Sequence, residues 1–397
     1  MAVTETVKVG WGSRLGSSMK GVLVGLVLFV AGFPVLFWNE GNTVKTRKAL
    51  DEGEGACVSV ESADAVDPAF QGTLVHMSAK ADTSDVLSDA EFGISTVAIK
   101  LVREVEMYQW HESSHTTEKK NVGGSVTKTT TYEYSKGWSS FAIDSSNFKE
   151  AGHDNPGRME FESASSLAAQ VKFGAFRLSK SQIERIGSSQ PYAFAADYAC
   201  PVEGAQKRGA LIYVPEASSR LPGAPVREVA AAPHIGDMRV TFRVVLPHEI
   251  SIVAKQHGDT FVPYVAKNGQ KISLLAEGVK DSTEMFADAQ SANDLRAWLV
   301  RLGGFLLMYI GIGMILKPLS VLADVLPILG NIVELGAGIV AFAVAAPCAL
   351  VTIAIAWLVY RPIVGIALLA LAFAIVWWVR SKKQPKAATT PSVAKMV

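Results

Sequence analysis

The sequence predicts a membrane protein: an α-helical four-span anchor that carries a large extracytoplasmic α+β domain rich in antiparallel strands. Three observations lead there. Hydrophobic residues make up 49 % of the 397 and charged residues only 19 %, less charge than a soluble domain usually carries. The apolar excess gathers at the two ends of the chain. Between them, polar and apolar residues alternate in strand fashion and are punctuated by glycine turns. The formal net charge of +1 argues against a nucleic-acid binder, which would be basic.

Taken in order, residues 1–20 form a cytoplasmic tail with Lys8, Arg14 and Lys20. Residues 21–38, GVLVGLVLFVAGFPVLFW, carry no charge and are long enough to cross a hydrocarbon core of about 30 Å. The run ends in Phe37-Trp38 with no small-residue cleavage site, so it reads as an uncleaved signal anchor. Residues 39–297 form the extracytoplasmic domain, periplasmic or lumenal. Residues 298–316 form a second span, with Arg301 near its start. Residues 317–331 are largely apolar around Asp324 and read as an amphipathic or re-entrant segment at the cytoplasmic interface. Residues 332–360 form a third span with Glu334 near its beginning, and 362–379 a fourth. Tyr360-Arg361-Pro362 between them forces a tight antiparallel link, because proline fits the first turn of a new helix. Residues 380–397 are a basic disordered tail. The basic residues beyond both outermost spans place both termini in the cytoplasm. Trp38, Trp298 and Trp357 fall at outer ends of spans, where an indole meets the headgroups.

Within the domain, Gly72–Ala81 alternates as a strand. Asp82–Gly93 reads as a turn or short helix closed by glycine. Ser95–Ser113 alternates over a long stretch, Gly123-Gly124 supplies a turn, and a Thr- and Tyr-rich run returns. These make one long antiparallel hairpin. Ser179 three residues before Gln182 is a capping-box pattern for a short helix. His257-Gly258-Asp259 and Asn268-Gly269 mark the turns of a terminal meander, and residues 282–296 lead into the second span as a helix. Cys57 and Cys200 share the domain, where an oxidising compartment would permit a disulfide. Cys348, inside the third span, reads as packing.

Chemistry is scarce. No phosphate loop, nucleophile elbow, zinc-helix or paired-cysteine motif occurs. His111 and His115 are four apart, but on a strand that separates them by about 13 Å, so they read as a polar hairpin and no metal ligands are expected. His76 sits among apolar strand residues as a structural histidine. Glu104 and Glu106 share a strand face, which fits paired carboxylates, but alternating charges on a solvated sheet face look the same, and that is the preferred reading. Arg301 and Glu334 sit at span edges, away from the midplane position expected of a transport site. No catalytic, cofactor-binding or metal residues are therefore expected, and no cofactor.

One resemblance spans nearly the whole chain. It rests on Asn39-Glu40-Gly41 after the first span, Leu74-Val75-His76, VEMYQW at Val105–Trp110 and GHDNP at Gly152–Pro156. It continues in GDMRV at Gly236–Val240, Gly258-Asp259 with Phe261-Val262-Pro263, and Tyr360-Arg361-Pro362. With these the sequence resembles the transmembrane protein 43 family, also called LUMA. The resemblance implies four spans with a large lumenal domain. In animal cells it implies the endoplasmic reticulum and inner nuclear membrane, where the family is regarded as an organiser associating with emerin, lamins and itself. It carries no enzymatic residues over. The absence of any Asn-x-Ser/Thr acceptor and the Ala- and Val-rich spans fit a bacterial member in an inner membrane, with a periplasmic domain.

The expected function is a non-catalytic integral membrane scaffold. Its partners would be the lipid bilayer, copies of itself and other membrane proteins, with no nucleic acid. Small residues such as Gly303, Gly304, Gly311, Gly313, Gly336 and Gly338 suit helix association. The alternatives are a lipid- or small-ligand-binding protein acting through 317–331, around Leu322 and Leu326, and a membrane-bound enzyme with a cleft gathering His76, His153 and a carboxylate.

Overall fold

The computed structural model describes residues 3–220, 232–363 and 366. The expected fourth span, 362–379, lies almost wholly outside the described residues, and the tail 380–397 entirely so. In chain order the elements begin with β1 (Val3–Val9), α1 (Trp11–Ala56), β2 (Val58–Ser59), β3 (Leu74–Asp82), β4 (Val86–Asp89), β5 (Ile94–Val97), β6 (Lys100–Lys120) and β7 (Val126–Ser139). There follow β8 (Ala164–Leu167), β9 (Lys172–Phe173), β10 (Phe176–Arg177), α2 (Lys180–Arg185), β11 (Gln190–Pro191), β12 (Gln206–Arg208), β13 (Leu211–Val214) and β14 (Met238–Val245). The last are β15 (His248–His257), β16 (Thr260–Val262), β17 (Tyr264–Val265), β18 (Lys271–Ile272), β19 (Leu274–Glu277), α3 (Ser282–Ala323) and α4 (Pro327–Tyr360).

The chain forms two compact units. One collects residues 1–15, 46–293 and 321–330; the other collects 16–45, 294–320 and the chain from Asn331 on. Helix α1 is thus divided, with both ends in the first unit and its middle in the second.

The first unit is built on two sheets. In one, the order β1-β7-β6-β14-β13-β12 is joined by β8 on β6 and β11 on β14. In the other, β3, β9, β10, β16 and β15 pair in turn, and β15 pairs back onto β3, which closes the circuit; β2 and β19 flank it. Alternation builds both. Val75, Met77, Ile250 and Ile252 turn inward with Phe173, Phe176 and Phe261 to fill the closed sheet. Leu101, Val105, Met107, Val240 and Phe242 form the core of the other. Burial of such side chains stabilises by roughly 1.5–3 kcal/mol each.

Several expectations hold. The hairpin β6–β7 pairs from Met107–Ser139 to Lys120–Val126 and turns through Gly123 and Gly124 at φ of 87° and 78°. Ser179 and Gln182 form the capping box that starts α2. The meander turns at Gly258 and Gly269, both with positive φ. Asp82–Gly93 differs: the stretch contains β4, paired with β5. Leu87 on β4 and Phe92 after it turn into the core, and the ladder to Ile94–Val97 satisfies the backbone of β4. Cys57, Cys200 and Cys348 are free thiols.

Among the described residues, three helices, α1, α3 and α4, are long and apolar enough to cross a bilayer. The antiparallel-sheet domain and these helices bear out the fold class at that level. Helices α1 and α3 approach closely. A Cβ on Gly25 would lie 2.6 Å from the Gly311 carbonyl, and one on Gly311 would lie 2.6 Å from the Gly25 carbonyl. Gly304 likewise leaves room for Leu36, which is wholly buried with Met308. Close approach through small residues is how apolar helices gain packing in lipid. Gly304 and Gly311 are therefore occupied inside the chain, whereas Gly303 and Gly313 face open space.

Candidate functional site

The most polar feature of the first unit is the outer part of the β6–β7 hairpin. It becomes a three-stranded arm because β1 adds to β7, with Val3 opposite Tyr132 and Val9 opposite Val126. Thr116 and Thr130 hydrogen bond across the hairpin at 2.9 Å, and Lys128 pairs with Glu118. The tip is fastened by residues from distant sequence. Gly123 N–H donates to the Val325 carbonyl at 3.0 Å. Trp11 Nε1 donates to the Val321 carbonyl at 2.9 Å, and Arg14 Nη1 to the Gly124 carbonyl at 2.6 Å. Asp324 is 1 % exposed. Its carboxylate meets Arg14 and Lys120, the latter at 2.9 Å. A buried carboxylate held between two cations is a fixed anchor; breaking one side would leave an uncompensated charge.

Nearer the base, His153 of the GHDNP stretch stacks on Tyr134 at 4.0 Å and meets the edge of Trp110 at 4.4 Å. Asn155 accepts the Trp110 N–H at 2.7 Å and donates to its carbonyl at 2.9 Å. Lys136 lies 4.5 Å over the Trp110 ring. VEMYQW and GHDNP are thus one structural joint at the root of the arm. His76 is elsewhere, on β3, with Nε2 2.8 Å from the Lys280 carbonyl. The enzyme reading needed His76 and His153 in one cleft; their partners are separate. Glu106 pairs across strands with Arg239 at 2.5 Å, as a solvated sheet face would have it. Among the described residues no group of three His, Cys, Asp or Glu side chains could hold a metal.

A cleft of about 910 Å³ is lined by Glu91, Arg103, Arg158, Glu160, Glu162 and Glu216, among others. Arg103 binds Asp89, Glu91 and the Glu162 carbonyl. With its donors so engaged, it holds β6 to its neighbours rather than offering a fork to a ligand.

In the second unit, Glu40 is wholly buried. Arg301 meets it as a bidentate fork, Nε on one oxygen at 2.6 Å and Nη2 on the other at 2.8 Å. Trp357 Nε1 donates to that second oxygen at 2.7 Å. Asn39 donates to the Ala297 carbonyl at 3.2 Å. One carboxylate therefore ties α1, α3 and α4 together. Sequence reasoning used Asn39-Glu40-Gly41 only as a family mark and read Arg301 alone. The signal was there: an acid just after the first apolar run and a base just inside the second.

These helices, with the antiparallel-sheet domain, define an integral membrane protein of the helical class. The model of the transmembrane protein 43 family matches residues 107–362, and the chain belongs to that family. It is 34 % identical over 372 residues to transmembrane protein 43 of Rattus norvegicus, covering 91 % of this chain and 90 % of the relative. Against transmembrane protein 43 of Homo sapiens the identity is 32 % over 395 residues, covering 97 % and 95 %. Against the transmembrane protein 43 homolog of Drosophila melanogaster it is 29 %, covering 96 % and 97 %. No solved structure matches.

Proposed function

We propose that this chain is a non-catalytic membrane scaffold whose copies join through the polar arm. The sheet domain lies outside the cytoplasm, in the periplasm if the source is bacterial, and presents further surface to other membrane proteins. The observation that carries this reading is the pair of open edges on the arm. Among the described residues, β1 has β7 as its one strand neighbour, and β6 beyond Trp110 likewise pairs with β7 alone. An unpaired edge is a template for strand addition by another chain. In native membranes, photo-crosslinking from Thr6→benzoylphenylalanine should give dimers and higher species, joined to residues 112–119 of a second copy. Monomer alone would remove the proposal.

A second reading has its own observation. Tyr309, Leu335, Ile339 and Phe342 line a groove of about 610 Å³ together with Asn331 and Glu334. This shape suits an acyl chain with a polar head. Lipid retained through purification and lost in Ile339→Lys, seen by native mass spectrometry, would favour it.

A further inference from the structure

We infer that the arm crosses the bilayer and, closed edge to edge with the arms of further copies, lines a water-filled passage for small inorganic ions. This rests on the self-association proposed above.

The argument begins at the tip. The residues fastened there are Val3–Arg14, which precede the apolar run 21–38, and Val321–Val325, which follow the apolar run 298–316. If those runs span, the tip lies on the side of the membrane that Trp11, Arg14 and Val321–Val325 share. The base lies in the sheet domain, where Lys100–Met107 pair with Met238–Val245. That domain follows the first span and precedes the second, so it lies on the opposite side. The strands between base and tip must traverse the bilayer. The strand from His111 to Lys120 rises about 31 Å, just enough for a hydrocarbon core of about 30 Å.

A sheet facing lipid needs an apolar face, as transmembrane barrels show by alternating apolar-out and polar-in. This arm has no such face. Opposed residues share a face, so the register puts Thr4, Thr6, Thr117, Thr127, Thr129 and Thr131 together on one side, with Lys8, His115, Lys119 and Glu133 among them. The other side mixes Val3, Val7, Val9 and Tyr132 with Glu5 and Glu118. The hydroxyl face suits water. The mixed face suits a protein wall better than lipid.

The open edges complete the case. In hydrocarbon an unpaired backbone N–H or C=O costs several kcal/mol, so sheets cross membranes only when closed. Both β1 and β6 are antiparallel to β7, so they run in the same direction. Rotation about an axis along the arm sets β6 of one copy beside β1 of the next in parallel. Such a head-to-tail contact closes into a ring. Side chains fill a barrel of about eight strands; along the seven residues of β1 each copy gives three strands, so four copies give about twelve there, wide enough to leave a lumen. Lys8 and Lys119 share the threonine face near the tip and Glu133 is its one acid farther in, so the passage should favour small anions over small cations.

The test uses the full chain in liposomes of phosphatidylethanolamine and phosphatidylglycerol, with planar-bilayer recording in parallel. Cys57→Ser, Cys200→Ser and Cys348→Ser give the background. Single cysteines are then placed at Thr129→Cys, Thr130→Cys, Thr131→Cys and Tyr132→Cys. A conductance is expected, blocked by a charged methanethiosulfonate at positions 129 and 131 and spared at 130 and 132. The Thr6 photo-crosslink is read on the same vesicles. Crosslinked oligomers with no ion flux, or a conductance blocked without the two-residue period, would overturn the passage and leave the scaffold standing. Monomers without flux would remove both.

Discussion

At the scale of single residues, Glu40 carries the largest consequence. Its carboxylate is wholly buried and accepts from Arg301 at 2.6 and 2.8 Å and from Trp357 at 2.7 Å. Removing one member of a buried pair costs about 3–5 kcal/mol, because the orphan charge remains; removing both with apolar groups costs far less. Glu40→Leu or Arg301→Leu should therefore lower the Tm of the detergent-solubilised chain sharply. The double variant should recover part of that loss. A double variant as unstable as the sum of the singles would remove the ion pair as the reason. A second residue, Cys57, makes a chemical prediction. Burial pushes its thiol up to about 11, and alkylation proceeds through the thiolate. In a chain with Cys200→Ser and Cys348→Ser, Cys57 should react with iodoacetamide at pH 8 roughly 100-fold more slowly than a thiol of ordinary acidity, which two units of pKa imply. Unfolding should restore the ordinary rate.

At the scale of elements, the arm was legible and its fastening was not. Alternation over 95–113 and the Gly123-Gly124 pair announce a hairpin, because side chains on a strand repeat every two residues and a tight turn needs positive φ. Nothing local says that Val3–Val9 will pair with Val126–Tyr132, or that Asp324 will sit between Arg14 and Lys120. Those contacts join segments about 110 to 310 residues apart, which periodicity cannot see. Glu40 escaped for the same reason: its partner is 261 positions away. Asp82–Gly93 misled because Asp, Ser and Gly favour turns and caps, while the ladder to β5 decided the outcome. The fastening can be tested at Gly124. Its φ is +78°, and a Cβ there would lie 2.3 Å from the Trp11 ring. Gly124→Ala should cost roughly 1–3 kcal/mol of local strain. Hydrogen exchange should then speed up in Val3–Val9 and around Val321–Val325, while β14 and β15 keep their protection. Equal loosening of both regions would mean that the tip is not a local joint.

At the scale of the whole molecule, each unit has a carboxylate that joins several of its elements, Glu40 in one and Glu277 in the other, and acid tests the second. In the sheet domain, Glu277 at the end of β19 joins three elements. Burial alone would raise its carboxyl, but the Gly187 N–H at 2.6 Å, His248 and the Ser188 hydroxyl at 2.8 Å together hold it below its ordinary value of 4.5. Ser188 accepts a φ of +49° to make that bond, the one positive φ outside glycine among the described residues. A carboxylate whose folded pKa is depressed adds stability above its unfolded value, and that stability is lost as pH falls through the folded one. The loss should begin near pH 4.5 and deepen below it. Thermal unfolding of the full chain at pH 6 and pH 4 should show a fall in the sheet-domain transition, and Glu277→Gln should show a smaller one, since it has no proton to gain. The helices of the second unit add close packing at Gly25 and Gly311 and at Leu36 and Met308 to their Glu40–Arg301 pair, so the comparison with Glu277→Gln is confined to the sheet domain. A variant that responds to acid as steeply as the parent would remove Glu277 as the cause.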